Sequence, residues 1–429
     1  MRRLGFLSIS VWVILSVAAL TRVAFAVDQA RRIPPEVLRV VPFSNEAGSI
    51  AYALSTGHGF SAPFRTETGP TAWLAPAYPL LLAGIFKIFG PFTLNSFYLA
   101  VAWNIIVSAL ATLPLYFAGK RLGGVPVACL AAWLWAINPN AIVIPFEWIW
   151  DTCSSALLGA SLLWATMALR HSHRFGPWFA YGLLCGLALL TNPAFASLLP
   201  FLFVWLALQA RKDKPAPFLR HAVLAAAVTV FCCLPWTIRN YAVFRRLIPL
   251  RSNFSFELWL GNNEVFDAQS RSIIGSRVTI YGETRRYSQL GEMAFMDEKW
   301  HKATAFMAAH AALELRLTRD RIVAMWIGTA HPVRDFRASD SLLGRSSLFA
   351  NLAVTLGTVL GTVMLFRRRN PLTMPVVAFA TVFPCIYYIT HASLRYRHPA
   401  DPALLLLTAA GAVAAAQWFA RQEMCESSP

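Results

Sequence analysis

The chain has 429 residues, of which 57% are hydrophobic and only 14% charged, with a formal net charge of +17. So much apolar side chain exceeds what a water-soluble core of ordinary proportions can hide, which excludes an ordinary soluble enzyme and indicates a multi-span membrane protein. The Lys and Arg residues stand in short clusters between apolar runs, where they set orientation in a bilayer; no basic stripe interleaved with aromatics points to nucleic acid.

In chain order, Leu4 to Val27 is a long apolar run behind Arg2 and Arg3. The small-x-small pattern Ala24-Phe25-Ala26 allows a cleaved signal peptide, but the run is long enough to cross a hydrocarbon core of ~30 Å, which favours an uncleaved first helix. Either way Asp28 onward lies outside the cytoplasm. Asp28 to Pro76 is polar, rich in Gly and Pro, and broken by short helical patterns such as Ala47 to Leu54. Ala77 to Phe89 is apolar yet short for a span and is expected as an interfacial or re-entrant helix.

Further spans are expected at Leu94 to Ala118, Val125 to Ile144, Thr152 to Leu169, Pro177 to Leu190, Ala194 to Gln209 and Phe218 to Trp236. A long polar region, Arg239 to Arg345, then contains a helical hairpin at Gln289 to Ile327, expected to lie over the outer face as a lid on the acceptor side. Leu348 to Phe366, Leu372 to Thr390 and Ala403 to Phe419 complete about ten spans. This divides the chain into an N-terminal transmembrane module (1–238, with the first outer loop at 28–93), an extracytoplasmic segment (239–345) and C-terminal transmembrane helices (346–429).

With both ends in the cytoplasm, the clusters at Lys120, Arg170, Arg211 and Arg367 all fall on the cytoplasmic side, as the bias of short loops requires. Glu46, Glu147, Asp151, Arg239 and Arg395 then share the opposite face.

Those residues carry the chemistry. Glu46 opens a helical pattern, where a carboxylate is either stabilised by the helix dipole or acts as a general base toward an acceptor. Glu147 and Asp151, four apart and flanked by Trp148 and Trp150, stand where the chain enters its fourth span; Asp151 is the better second acid. Lys87, Arg239, Arg395 and Arg397 are cations near membrane exits, suited to an anionic ligand, although Lys87 also reads as a lysine snorkelling to the headgroups. Trp73 and Tyr78 are candidate sugar contacts, or interface aromatics. The seven cysteines have no metal-ligand spacing and no disulfide framework. His171-Ser172-His173 lacks further ligands.

The stretches EAGSIAYALSTGHGFSAPF, GPTAWLAPAYPLLLAGIFKIFG, LPWTIRNYAVFRRLIPLRSNFSFELWLGNN and RYRHPADPALLLLTAAG, in that order over nearly the whole chain, resemble bacterial family 39 glycosyltransferases of the GT-C class. That group is related to the protein O-mannosyltransferases and the aminoarabinose transferase acting on lipid A. The resemblance implies an all-α polytopic GT-C fold in the bacterial cytoplasmic membrane and a site facing away from the cytoplasm. It also implies a polyprenyl-phosphate-linked sugar as co-substrate, a glycan, lipid or protein acceptor, and inversion at the sugar carbon. By the same resemblance Glu46 and Asp151 (less well Glu147) match the family's acids, and Lys87, Arg395 and Arg397 its phosphate-side cations. One departure is that Asn45, not a second acid, precedes Glu46, so no carboxylate pair is offered to a metal and none is expected to be required. A polytopic transporter of a lipid-linked or anionic substrate, and an inactive GT-C relative serving as an assembly partner, are the competing classes.

Overall fold

The computed structural model describes residues 2–64, 67–213, 215–263, 277–338 and 342–426. Parts of the expected extracytoplasmic segment, 264–276 and 339–341, lie outside the described residues. Among those described, helices form the whole architecture apart from one isolated bridge, Ser61 to Pro70.

Six helical stretches are long and apolar enough to cross a membrane: Val11–Arg32, Leu94–Ile137, Thr152–Leu169, Phe218–Phe244, Gly344–Arg367 and Leu394–Ala420. Shorter apolar helices are Ala77–Phe89, Phe175–Thr191, Phe195–Gln209 and Thr373–Ile389. Every stretch expected as a span falls on one of these. The 44-residue stretch Leu94–Ile137 holds two of them, because Gly123 and Gly124 leave helical geometry and Gly124 sits at φ 82°, a conformation costly for any residue with a Cβ. The chain therefore reverses between Gly119 and Ala128, whose backbones touch: a Cβ on Gly119 would lie 2.7 Å from Ala128 Cα.

Two boundaries differ from expectation. The span placed at Val125 to Ile144 ends at Ile137, because Asn138 accepts from the Asn140 and Ala141 amides and, with Pro139 next, caps a new helix, Pro139–Glu147. The run Leu372 to Thr390 is two short helices, Thr373–Thr381 and Cys385–Ile389, parted at Pro384, which has no N–H to continue the ladder.

The expected hairpin is also corrected. Glu292–Ala309 packs on Phe254–Gly261 and Arg277–Leu290, whereas Ala311–Ile327 packs on Leu342–Arg367 and the short helices Cys385–Ile389 and Leu394–Arg397. Instead of folding back on itself, the pair bridges two parts of the molecule, parting at His310.

The membrane helices are held by close approach and by buried polar clamps. Gly361 and Gly411 let Leu342–Arg367 cross Asp401–Glu426 backbone to backbone; a Cβ on Gly361 would meet Leu407 O at 1.9 Å. In the first span the fully buried Arg22 donates to Ser108 Oγ (2.8 Å), Ala18 O (2.7 Å) and Trp135 O (3.2 Å). Its guanidinium thus fixes that helix to the Leu94–Ile137 stretch. A second, aromatic core (Phe43, Trp73, Phe86, Phe256, Tyr287, Phe295) packs the first outer loop against the segment around 254–296.

Candidate active site

The site begins with the turn before Glu46. Asn45 caps the helix Glu46–Ser55: its Oδ1 accepts from Gly48 N (2.8 Å), while its Nδ2 donates to Pro42 O (2.9 Å) and to Ile149 O (3.3 Å). Gly48 is required because a Cβ there would stand 2.3 Å from Phe43 O. Asn45 therefore does work an acid cannot do, since a carboxylate has no N–H to donate. It ties the loop bearing Glu46 to the turn bearing Asp151. Asn45→Ala is expected to cost about 1 kcal/mol of stability through the lost cap. Asn45→Asp is expected to recover most of that in a melting experiment while leaving turnover low, because the strut to Ile149 stays broken.

Asp151 ends the turn that follows Pro139–Glu147 and precedes Thr152–Leu169. It is buried, and its Oδ2 accepts from Ser155 Oγ at 2.9 Å. Arg395 comes from the far end of the sequence, on the short helix Leu394–Arg397. Its guanidinium lies over the rings of Trp148 (4.4 Å) and Trp150 (5.0 Å) and donates to Tyr396 Oη at 2.6 Å. The two tryptophans beside Asp151 thus form the bed for the arginine, by cation–π attraction.

A cavity opens there, lined among others by Trp150, Asp151, Arg251, Glu257, His391 and Arg395. A second recess shares Trp150, Asp151 and Arg251 and adds Ala47 and Tyr78; a third, on the other side of Arg395, adds Glu147 and Trp148. Asp151 lines the first two, and Arg395 lines the first and the third. Glu46, partly buried, lies at the edge of this group, close enough to feel both Glu257 and Arg395.

Burial raises the Glu46 carboxyl above its ordinary range; the negative Glu257 adds to this, and Arg395 opposes it. Burial likewise raises Asp151, against the Ser155 hydrogen bond and the charges of Arg395 and Arg251. Burial also pushes Glu257 upward, but its hydrogen bond to His391 together with the charges of His391, Arg251 and Arg395 holds it below the usual value. The site therefore holds carboxyls displaced in opposite directions.

The other residues singled out in the sequence are placed differently. Arg239 donates to Thr71 O (2.6 Å) and Phe60 O (2.8 Å) and rests against Phe60 and Trp236. Arg397 is buried, with donors taken by Asp401 (2.7 Å), Trp326 O (2.6 Å) and Asn351 (2.6 Å). Both arginines are consumed in holding segments together, which corrects their expected place at a phosphate. Lys87 is exposed on the last turn of Ala77–Phe89 and lines none of these recesses. Trp73 is 1% exposed among Phe64, Phe256, Tyr287 and Phe295, so its faces are closed to a sugar, contrary to expectation. Tyr78 lines the second recess, with its hydroxyl toward Asn104 Oδ1 at 3.4 Å. Glu147 is exposed and belongs to the third.

Four further residues, not singled out in the sequence, belong to the site. Arg251 lines both inner recesses, and no hydrogen bond joins its guanidinium to another described residue. Glu257 and His391 line the first. The buried Glu292 accepts from Thr71 Oγ1, Ala72 N (2.8 Å), Ser252 Oγ (2.6 Å) and Tyr287 Oη (2.7 Å). One carboxylate thereby seats the residue beside Arg251 on the first outer loop. Arg251 and Glu257 lie in the stretch LRSNFSFELWLGNN, and charge in a polar segment after a span was the available signal; His391 offered none. Among the described residues no group of three or more His, Cys, Asp or Glu side chains gathers as a metal site.

No family model matches the sequence, and no curated protein does. The likeness is to solved structures. The Archaeoglobus fulgidus oligosaccharyltransferase, in complex with Zn and sulfate, superposes with a TM-score of 0.53 at 16% identity, over 95% of this chain and 50% of that one. The same organism's AglB with an inhibitory peptide and a dolichol-phosphate gives 0.51 at 15% identity, over 98% and 52%. ArnT from Cupriavidus metallidurans bound to undecaprenyl phosphate gives 0.41 at 13% identity, over 95% and 78%. The chain spans about half the length of the oligosaccharyltransferase structures it matches. Its fold is the all-α, polytopic architecture of the GT-C class.

Proposed function

We propose that the protein is a membrane glycosyltransferase, akin to bacterial family 39, that moves a sugar from a polyprenyl-phosphate-linked donor to a glycan, lipid or protein acceptor on the extracytoplasmic side of the bacterial inner membrane. The carrying observation is that Asp151 and Arg395, from distant parts of the chain, line one cavity at the ends of membrane helices, with Glu46 close enough to feel the charges of Glu257 and Arg395 at its edge. The dolichol-phosphate named for one of the matched oligosaccharyltransferase structures agrees with such a donor.

The geometry supports direct displacement. Arg395 and Arg251 present guanidinium forks to the cavity, suited to the two non-bridging oxygens of a phosphodiester. The acceptor attacks the sugar carbon opposite the phosphate, and its proton passes to Glu46. The bond from carbon to phosphate oxygen breaks with its electron pair kept by the phosphate, where the arginines stabilise the growing charge. Inversion and free polyprenyl phosphate follow. No metal is required in this scheme, and no nucleic acid takes part. Reconstituted protein given a polyprenyl-phosphate sugar and cell-envelope acceptors should release polyprenyl phosphate; movement of the lipid without its consumption would identify a transporter instead.

The raised carboxyls fix the sign of the pH dependence. A general base works deprotonated, so kcat/KM should climb with pH through a limb lying above the ~4.3 of an exposed glutamate. A limb at or below that value would remove Glu46 from the role.

A further inference from the structure

One side chain in the cavity is not used by the chemistry above. His391 Nε2 lies 2.5 Å from Glu257 Oε2, and the other oxygen of Glu257 accepts from Asn253 Nδ2 at 2.8 Å. Both carboxylate oxygens are thus engaged inside the protein. The opposite nitrogen, His391 Nδ1, is buried and has no hydrogen-bond partner, although its ring lines the cavity. A carboxylate on Nε2 keeps a proton there, and Nδ1 is a donor as well in the doubly protonated ring. Such a donor, shut from water, needs an acceptor that the protein does not provide.

The position of His391 indicates what that acceptor is. Tyr396 touches both His391, ring edge to face at 5.0 Å, and Arg395, through its hydroxyl at 2.6 Å. His391 therefore stands beside the arginine and shares the cavity lining with Arg251.

Resting on the glycosyltransferase reading, we propose that His391 binds the donor phosphate as an imidazolium, its Nδ1–H donating to a non-bridging oxygen alongside Arg251 and Arg395, with Glu257 as the residue that positions and charges it. The charged and titratable groups lining the cavity with the ring are Glu257 from Phe254–Gly261, Arg251 just before that helix, Arg395 and Tyr396 from Leu394–Arg397, Tyr387 from Cys385–Ile389, and Asp151; Glu46 lies outside the lining but feels Glu257 and Arg395.

The test measures binding of undecaprenyl phosphate to the purified full chain in detergent between pH 5.5 and 8.5, with undecaprenol as the phosphate-free control. In the wild type, affinity for the phosphate should fall as pH rises, although the phosphate itself gains charge over the same range. His391→Gln should weaken binding about 10- to 100-fold at the acid end and abolish the fall. Glu257→Gln should move the fall to lower pH, since it keeps the Nε2 partner but removes its charge. Melting temperatures and undecaprenol binding unchanged in both variants separate this from misfolding. Affinity and pH dependence kept by His391→Gln would overturn the proposal while leaving the glycosyltransferase reading intact. A wild type that prefers undecaprenol at every pH would overturn both.

Discussion

Glu46→Gln is expected to lower turnover by about 10²- to 10⁴-fold with the donor KM little changed, the range typical for loss of a positioned general base. Glutamine keeps the shape and leaves the Asn45 cap and the Gly48 contact in place, so the helix Glu46–Ser55 should hold. What disappears is a carboxyl poised between burial and the opposing charges of Glu257 and Arg395. Asp151→Asn is the paired experiment. Asp151 lines two recesses and accepts from Ser155, so its loss should disturb donor placement and raise the donor KM as well. Steady-state kinetics of both variants across pH assigns the base: the residue whose replacement abolishes the acid limb is the one that takes the proton. Full transfer by Glu46→Gln would remove it from the mechanism.

Arg395→Ala should cost about 10²- to 10³-fold in kcat/KM for the donor, comparable to losing a main oxyanion donor elsewhere, and far less in acceptor use. Arg395→Lys should recover little of it. A lysine offers a point charge where the structure has a fork, and it forfeits much of the stacking on Trp148 and Trp150 that aims the guanidinium. Arg397→Ala, two residues away, should act differently: it leaves the buried Asp401 with only His398 and Asn351 with only Asn140, frees the Trp326 carbonyl, and should show as lost folded protein. Unchanged donor kinetics in Arg395→Ala would place the phosphate elsewhere.

The contrast between these two arginines shows where sequence reasoning stops. The spans were legible because an apolar run of about twenty residues, closed by Lys and Arg, suits a bilayer and little else. Glu46, Asp151 and Arg395 were legible because charge at a membrane boundary calls for a reason. In sequence, though, Arg239, Arg395 and Arg397 are one residue type in one setting. Only tertiary contact distinguishes a guanidinium spent on Thr71 and Phe60 carbonyls from one open to a cavity. Trp73 failed for the same reason: an aromatic in a loop looks available until Tyr287 and Phe295, more than two hundred residues on, close over it. His391 and Glu257 stand 134 positions apart, with no periodicity to link them.

The placement of Arg395 also bears on how the molecule is made. Translation delivers it about 350 residues after Glu46, roughly 17 to 70 s later at ~5–20 residues per second. Within that interval Asp151, Arg251 and Glu257 are delivered in turn, and Arg395 is the last charged member of the cavity lining to arrive. On the proposed reading, a half-synthesised copy therefore lacks a phosphate-side arginine, and the lipid carrier is safe from premature turnover until the stretch beginning at Ser393 has been made.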